Sequence, residues 1–308
     1  MLPQTMSAVA DRSVELTDLI GNTPLLRLGR IAAHLPEIEL YAKAEWFNPG
    51  GSVKDRAALN MLRQGQSEGR LVPGKTILEA TSGNTGIALA MLGAVFGHRV
   101  TLCLPETASP ERKLMLRLYG AEVIETSGLE GMDGAIEEAR RRYANDPEAY
   151  FYPDQYNNAA NWKAHYSTAN EIWSQTEGRV THFICGLGTS GTFVGTTRRL
   201  KELSPAIRCI SVEPEGPLHG IEGWKHMASS RVPGIYDSGL ADQKRTVGTE
   251  EAFEMVARLG REEGLFASAS SGAAVVAALR LAEELERGVV VTVMPDSGAK
   301  SFSEVRSR

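Results

Sequence analysis

Short runs of apolar and β-branched residues alternate with longer stretches of helical periodicity along nearly the whole chain. Glu39–Glu45, Thr76–Ala80, Arg99–Leu104, Val123–Glu125, Val180–Cys185, Ile207–Glu213 and Val289–Met294 are predicted strands, several of them apolar on both faces. Segments near 52–66, 84–96, 109–119, 131–144, 159–175, 191–203, 249–263 and 271–286 carry the helical pattern. Strands apolar on both faces and separated by helices imply an α/β fold whose parallel sheet is covered on both sides. A break near Pro153–Asn161 predicts a subdomain boundary. The least regular stretch, about 214–246, is rich in Gly, Pro and Ser and reads as a long functional loop.

Composition narrows the class. The 308 residues amount to about two domains' worth at roughly 150 each. A hydrophobic share of 42% with 23% charged residues fills a core, which excludes general disorder. Thirty-three basic against 38 acidic residues give a net charge of −5. With no Lys/Arg block, nucleic acid is not the expected partner. The longest apolar run, Ile87–Phe96 interrupted by Gly93, falls well short of the ~18 residues of a membrane span. The first residues lack a basic stretch leading into an apolar one, so no signal peptide is read and a cytoplasmic protein is expected. Cys103, Cys185 and Cys209 lie far apart in apolar segments and read as small buried strand residues. The six histidines show no ligand spacing, and no metal site is expected.

Four polar junctions stand out. In NPGGSVKDR, Asn48–Arg56, a Pro-Gly-Gly turn leads to Ser52, a natural N-cap, and places Lys54 in the first helical turn. A cation there opposes the helix dipole, and a destabilised ammonium becomes a usable amine nucleophile; the alternative is a solvated surface lysine. TSGNTG, Thr81–Gly86, follows the strand TILEA and opens a helix near Asn84, a ready anion site or an ordinary capped turn. GLGTSGT, Gly186–Thr192, joins a strand to a helix with glycines for close approach and three hydroxyls. It also spells G-x-G-x-x-G, with Glu213 about 20 residues on, which keeps a dinucleotide reading open. Its place past mid-chain and its hydroxyls favour a single terminal phosphate. SASSGAA, Ser268–Ala274, opens the last helix and by itself reads as a cap by Ser270 or Ser271.

Taken in this order, the segments resemble the fold-type II pyridoxal-phosphate enzymes (tryptophan synthase β-like), and within them the cysteine synthase (O-acetylserine sulfhydrylase) family. The match runs from IGNTPLLRL, Ile20–Leu28, to about Met294. NPGGSVKDRAAL, EATSGNTGIALAM, THFICGLGTSGT and Gly220–Trp224 are closest to the B-type isozyme. The resemblance implies one catalytic region over 17–297, with a smaller subdomain at 48–158 and a larger one from 1–47 with 159–308. It implies that Lys54 holds pyridoxal 5′-phosphate through its amine. Gly188, Thr189, Ser190, Gly191 and Thr192 would cradle the phosphate, Asn84 would bond the 3′ oxygen, and Ser270 would face the pyridine nitrogen. Thr81, Ser82, Thr85 and Gln155 would hold the substrate carboxylate. A homodimer acting on small molecules is implied too.

The implied reaction replaces the acetoxy group of O-acetyl-L-serine by sulfide, giving L-cysteine and acetate. Lys54 would take the α-proton as general base and later return it, in two half-reactions. A neutral serine at the pyridine nitrogen makes a weaker electron sink than a carboxylate would, favouring β-elimination over transamination. One departure matters. B-type relatives carry two arginines where this chain has Glu222 and Gly223, which lowers the expectation for anionic substrates such as thiosulfate or O-phosphoserine. A relative using homocysteine (a cystathionine β-synthase), an NAD(P) oxidoreductase and a non-catalytic cofactor-binding protein remain the alternatives.

Overall fold

Strand Gly288–Met294, GVVVTVM, is buried along nearly its whole length because it lies inside a sheet with helices on both faces. The computed structural model describes residues 13–81 and 83–300. Its strands, in chain order, are β1 (Leu25–Arg27), β2 (Ile38–Ala44), β3 (Thr76–Ala80), β4 (Val100–Pro105), β5 (Glu122–Thr126), β6 (Tyr150–Phe151), β7 (His182–Gly186), β8 (Arg208–Pro214), β9 (Gln243–Val247) and β10 (Gly288–Met294). They form two sheets among the described residues, ordered β1-β2-β10-β7-β8-β9 and β5-β4-β3-β6. Every pairing is parallel except β1 on β2.

The helices are α1 (Lys54–Ser67), α2 (Asn84–Phe96), α3 (Pro110–Leu118), α4 (Gly131–Asn145), α5 (Ala159–Lys163), α6 (His165–Gln175), α7 (Gly191–Leu203), α8 (Thr249–Arg258) and α9 (Ala269–Glu283). Period-2 alternation sorts the large sheet's side chains between two cores. Ile184, Ile210 and Val290 meet α8 and α9 on one face, through Met255, Ala274 and Ala278. Phe183, Cys209 and Val291 meet α6 and α7 on the other, through Ile172, Phe193 and Val194. In the small sheet, Ile77 and Leu102 pack with Leu62 and Leu89, while Leu78 and Cys103 face Ala135 and Ala139 of α4. All three cysteines are buried and unpaired.

The seven predicted strands are present, Thr76–Ala80 to the residue and the other six with ends shifted by a residue or two. Three strands carry no pattern to predict them. β1 and β6 are very short, and β9 is a mostly exposed edge whose polar QKRTV sits inside the stretch read as loop. Helix 159–175 is broken at Ala164, beside the place where Gly195 brings α7 against the Trp162 carbonyl. The segment 249–263 ends as a π-turn over Leu259–Glu263, closed by Gly264 in the left-handed region. Two expected caps are corrected. α1 starts at Lys54, because Ser52 is engaged in a bridge with Asp296. α9 starts at Ala269, because Ser268, rather than Ser270 or Ser271, caps it by accepting from Ser271 N at 3.2 Å.

Candidate active site

The carboxyl ends of β3, β7 and β10 converge on a cavity of about 310 Å³, within the size of small-ligand sites. In parallel sheets this is where ligands gather. α1 is brought there by its own turn. Gly51 takes φ +75°, and Gly50 has no room for a side chain because a Cβ would lie 2.5 Å from the Asp55 carboxylate. Val53 N then donates to the carbonyl of Pro295, just past β10, at 2.8 Å. Two residues after Lys54, Arg56 fastens the helix. It bonds Glu45 through Nε at 2.8 Å and Nη2 at 2.9 Å, and Glu171 through Nη1 at 2.6 Å. Lys43, fully buried, completes this group by pairing with Glu171 at 2.6 Å.

Lys54 therefore lines the cavity. Burial lowers its pKa from the ordinary lysine value, opposed by the nearby Asp296 carboxylate. A lysine amine that sheds its proton readily is a nucleophile and a base. Asp296 also accepts from Asn84 Nδ2 at 2.7 Å, and its other oxygen lies 3.3 Å from Ser270 Oγ and is bonded by Ser268. Thr85 Oγ1 donates to Gln155 Oε1 at 2.7 Å, and Thr81 Oγ1 accepts from Gly83 N at 3.2 Å. Beneath Gln155, the buried Glu79 accepts from Gln155 N at 3.1 Å and Ala80 N at 2.9 Å. Burial outweighs those donors and pushes its pKa up to about 8.

The turn between β7 and α7 is shaped to receive an anion. Ser190 sits at φ +69° just before α7, and its buried hydroxyl has no partner among the described residues. Thr189 Oγ1 accepts from Asn161 Nδ2 at 3.1 Å, and Thr192 Oγ1 lies 3.3 Å from His165 Nε2. Gly188, Thr189, Ser190 and Thr192 face the cavity. Gly191 does not line it; a Cβ there would meet Asn161 Oδ1 at 2.0 Å. The orphaned Ser190 hydroxyl at a helix N-terminus, with an enclosed lysine amine on the same cavity, fits a phosphorylated aldehyde such as pyridoxal phosphate.

Of the residues read from the sequence, Lys54, Thr81, Asn84, Thr85, Gln155 and Ser270 share this cavity with the 188–192 turn. Ser82 lies outside the described residues. Asp296, Arg112 and Tyr156 also line it and were not anticipated. Asp296 carried a readable signal, a Pro-Asp-Ser-Gly turn directly after an apolar strand. Glu222 and Lys225, singled out in the irregular loop, line the cavity as well. Glu222 pairs through both oxygens with the Arg112 guanidinium, and Lys225 Nζ lies 5.1 Å from the centre of the Tyr156 ring.

The pyridoxal-phosphate dependent enzyme model matches residues 16–296. The chain belongs to that family, and its cofactor is pyridoxal phosphate, which ends the dinucleotide reading of Gly186–Gly191. It is 51% identical over 289 residues to a cysteine synthase of Aquifex aeolicus, covering 92% of this chain and 88% of that protein. It is 43% identical over 290 residues to cysteine synthase B of Pseudomonas aeruginosa, covering 94% and 95%. Its fold is similar to the crystal structure of an Entamoeba histolytica cysteine synthase, with TM-score 0.91, 38% identity and 98% and 93% coverage.

Proposed function

We infer that this chain is a cysteine synthase that replaces the acetoxy group of O-acetyl-L-serine with sulfide. The observation that carries this is the single cavity shared by Lys54, Asn84, Ser270, the Thr85–Gln155 pair and the 188–192 turn. Bound pyridoxal phosphate supplies an electron sink for charge developing at the substrate α-carbon. Lys54 would hold the cofactor through its amine, and its freed Nζ would take the substrate α-proton. Burial of that amine lowers its pKa, which favours its acting as an acceptor. Thr81, Thr85 and Gln155 would orient the substrate carboxylate, with Glu79 steadying Gln155 from below. Amides and hydroxyls of 188–192 would hold the phosphate, Asn84 would bond the ring oxygen, and Ser270 would face the ring nitrogen. The acetoxy group would leave Cβ as acetate, sulfide would take its place, and Lys54 Nζ would return the proton to the α-carbon.

The two sheets are proposed as the cores of the two subdomains, 48–158 and 1–47 with 159–308. No helix among the described residues is long and apolar enough to cross a membrane. A cytoplasmic homodimer completes the reading. With Glu222 and Gly223 where B-type enzymes carry arginines, sulfide rather than thiosulfate is assigned as the donor. The deciding assay offers the holoenzyme O-acetylserine, O-phosphoserine and serine, each with sulfide, thiosulfate or homocysteine. Cysteine and acetate in equal amounts from O-acetylserine and sulfide are expected. Preferential turnover of homocysteine would make the protein a cystathionine synthase instead.

A further inference from the structure

We propose that Asn161 is a positioning residue that serves two parts of the site at once. Its side-chain amide fixes the Gln155 carbonyl behind the substrate-carboxylate clamp and turns the Thr189 hydroxyl so that its hydrogen is left for the cofactor phosphate. The inference rests on the proposed placement of that phosphate at 188–192 and adds to it a residue outside the cavity wall.

Asn161 lies in α5, 2% exposed, and does not itself line the cavity. Chemistry settles which way its amide faces. The Gln155 carbonyl can only accept, so the atom 2.7 Å from it is Nδ2. The second hydrogen of the same NH2 goes to Thr189 Oγ1 at 3.1 Å, and Gly191 N lies 3.4 Å from that oxygen. A hydroxyl has two lone pairs and one hydrogen. With both lone pairs engaged from behind, Thr189 is left to donate, and it faces the cavity. Beside it the Ser190 hydroxyl, also 2% exposed overall, has no partner among the described residues. An anion is the ligand that takes two such hydrogens at a helix N-terminus. Gly191 gains a reason too. It does not line the cavity, but a Cβ on it would lie 2.0 Å from Asn161 Oδ1, so its missing side chain is what admits the asparagine. At the other end, Gln155 is held at every polar atom. Its N donates to Glu79 at 3.1 Å, its Nε2 to Ala80 O at 3.4 Å, and its Oε1 accepts from Thr85 at 2.7 Å. Those three partners belong to β3 and the start of α2. Asn161 alone among the four ties Gln155 to the turn that follows β7 of the large sheet.

The test compares wild type with Asn161→Ala, Thr189→Val, Thr189→Ser and the Asn161→Ala/Thr189→Val double variant. Each full chain, freed of cofactor, is titrated with pyridoxal phosphate and with pyridoxal, and the ratio of the two affinities isolates what the phosphate contributes. Asn161→Ala and Thr189→Val are each expected to lower that ratio about tenfold, the size of one charge-assisted hydrogen bond. Thr189→Ser, which keeps the hydroxyl, should stay within about twofold of wild type. In the Thr189→Val background, Asn161→Ala should cost less than about twofold more, because no hydroxyl is left to orient. A second measurement on the holoenzymes separates the two ends of the amide. The KM for O-acetylserine should rise severalfold in Asn161→Ala, which frees the Gln155 carbonyl, and not in Thr189→Val, with kcat changing less than KM. An unchanged affinity ratio in Asn161→Ala would overturn the proposal, and so would an equal loss in both backgrounds. If the alanine variant does not fold, Asn161→Asp has the same shape and turns both donors into acceptors; an unchanged ratio there overturns the proposal equally. If wild type fails to join O-acetylserine with sulfide, the cysteine synthase reading falls, while the two titrations still decide the role of Asn161.

Discussion

Replacing Gly188 by alanine tests the contact that fixes the loop around Glu222 against the proposed phosphate turn. The added methyl would lie 2.2 Å from the Gly223 carbonyl oxygen. Carbon and oxygen settle no closer than about 3.3 Å, so the loop must withdraw by roughly 1 Å. It has little freedom to do so. Lys225 N is bonded to Leu187 O at 2.7 Å, and the Trp224 ring covers Gly186 so closely that a Cβ there would be 2.1 Å from it. Losing that hydrogen bond costs about 1 kcal/mol and forced overpacking about 1–3 kcal/mol, together roughly 2–4 kcal/mol. At about 2 °C per kcal/mol for a chain of this size, the melting temperature should fall by roughly 4–8 °C. Because the same turn is proposed to hold the phosphate, affinity for pyridoxal phosphate should fall at least about tenfold. Thermal melts with and without cofactor, and absorbance titration of the cofactor-free protein, measure both. Gly216→Ala, where a Cβ meets nothing within 4 Å, is the control and should change little. A Gly188→Ala protein that melts within 1 °C of wild type and binds cofactor within about twofold would refute the packing argument.

Lys54→Ala should lower turnover by roughly 10³-fold or more and leave the cofactor unattached. Borohydride reduction of the wild-type holoenzyme with peptide mapping checks this, and a label on another lysine would sink the assignment. Burial alone would raise Glu171, but bonds from Arg56 and Lys43 prevail and hold its pKa at about 2. That stabilisation is present above the ordinary carboxylate value near 4.5 and is lost as pH falls towards 2, so wild type should lose roughly 3 kcal/mol over that window that Glu171→Gln does not; equal acid profiles in chemical denaturation would contradict it. Glu79 behaves oppositely. With its folded pKa pushed up to about 8, the unfolded chain gives up the proton first, so wild-type stability should decline between pH 4.5 and 8 and Glu79→Gln should flatten that decline. Parallel melting curves across that range would mean Glu79 is ionised in the fold.

What the sequence made legible follows from where the fold is regular. Strands buried on both faces announce themselves by composition, and so Thr76–Ala80 and the helices 84–96 and 191–203 agree to the residue. The turns at Thr81 and Gly186 were legible because a polar, glycine-rich filling directly after an apolar strand is rare outside ligand sites. β9 was not, since an exposed edge strand needs no apolar pattern. The ionic parts of the site were least readable. Glu171 reaches Arg56 across 115 positions, Asp296 reaches Asn84 across 212, and Glu222 reaches Arg112 across 110. Each partner alone is an ordinary surface-type residue in sequence. Only the close approach of α1 to β10, and of α3 to the loop after β8, turns them into parts of a site.

Lys54 shows how much that tertiary contribution weighs. The sequence placed a cation in the first turn of a helix, where the dipole disfavours it by about 0.3–1 kcal/mol. That is less than one pKa unit, since a unit corresponds to about 1.4 kcal/mol. Burial is the leading cause of the lowering in the fold. The enclosure depends on distant groups. Gly51 turns the chain, Val53 ties it to Pro295 beyond β10, and Arg56 draws the helix onto Glu45 and Glu171. Asp296 pulls the other way, and a counter-charge that close keeps the amine from losing all affinity for a proton. The role proposed for Lys54, taking a proton from the substrate and later giving it back, needs both influences. In that proposed role burial would make Lys54 a usable base, and Asp296 would make its protonated form tolerable until the proton is returned.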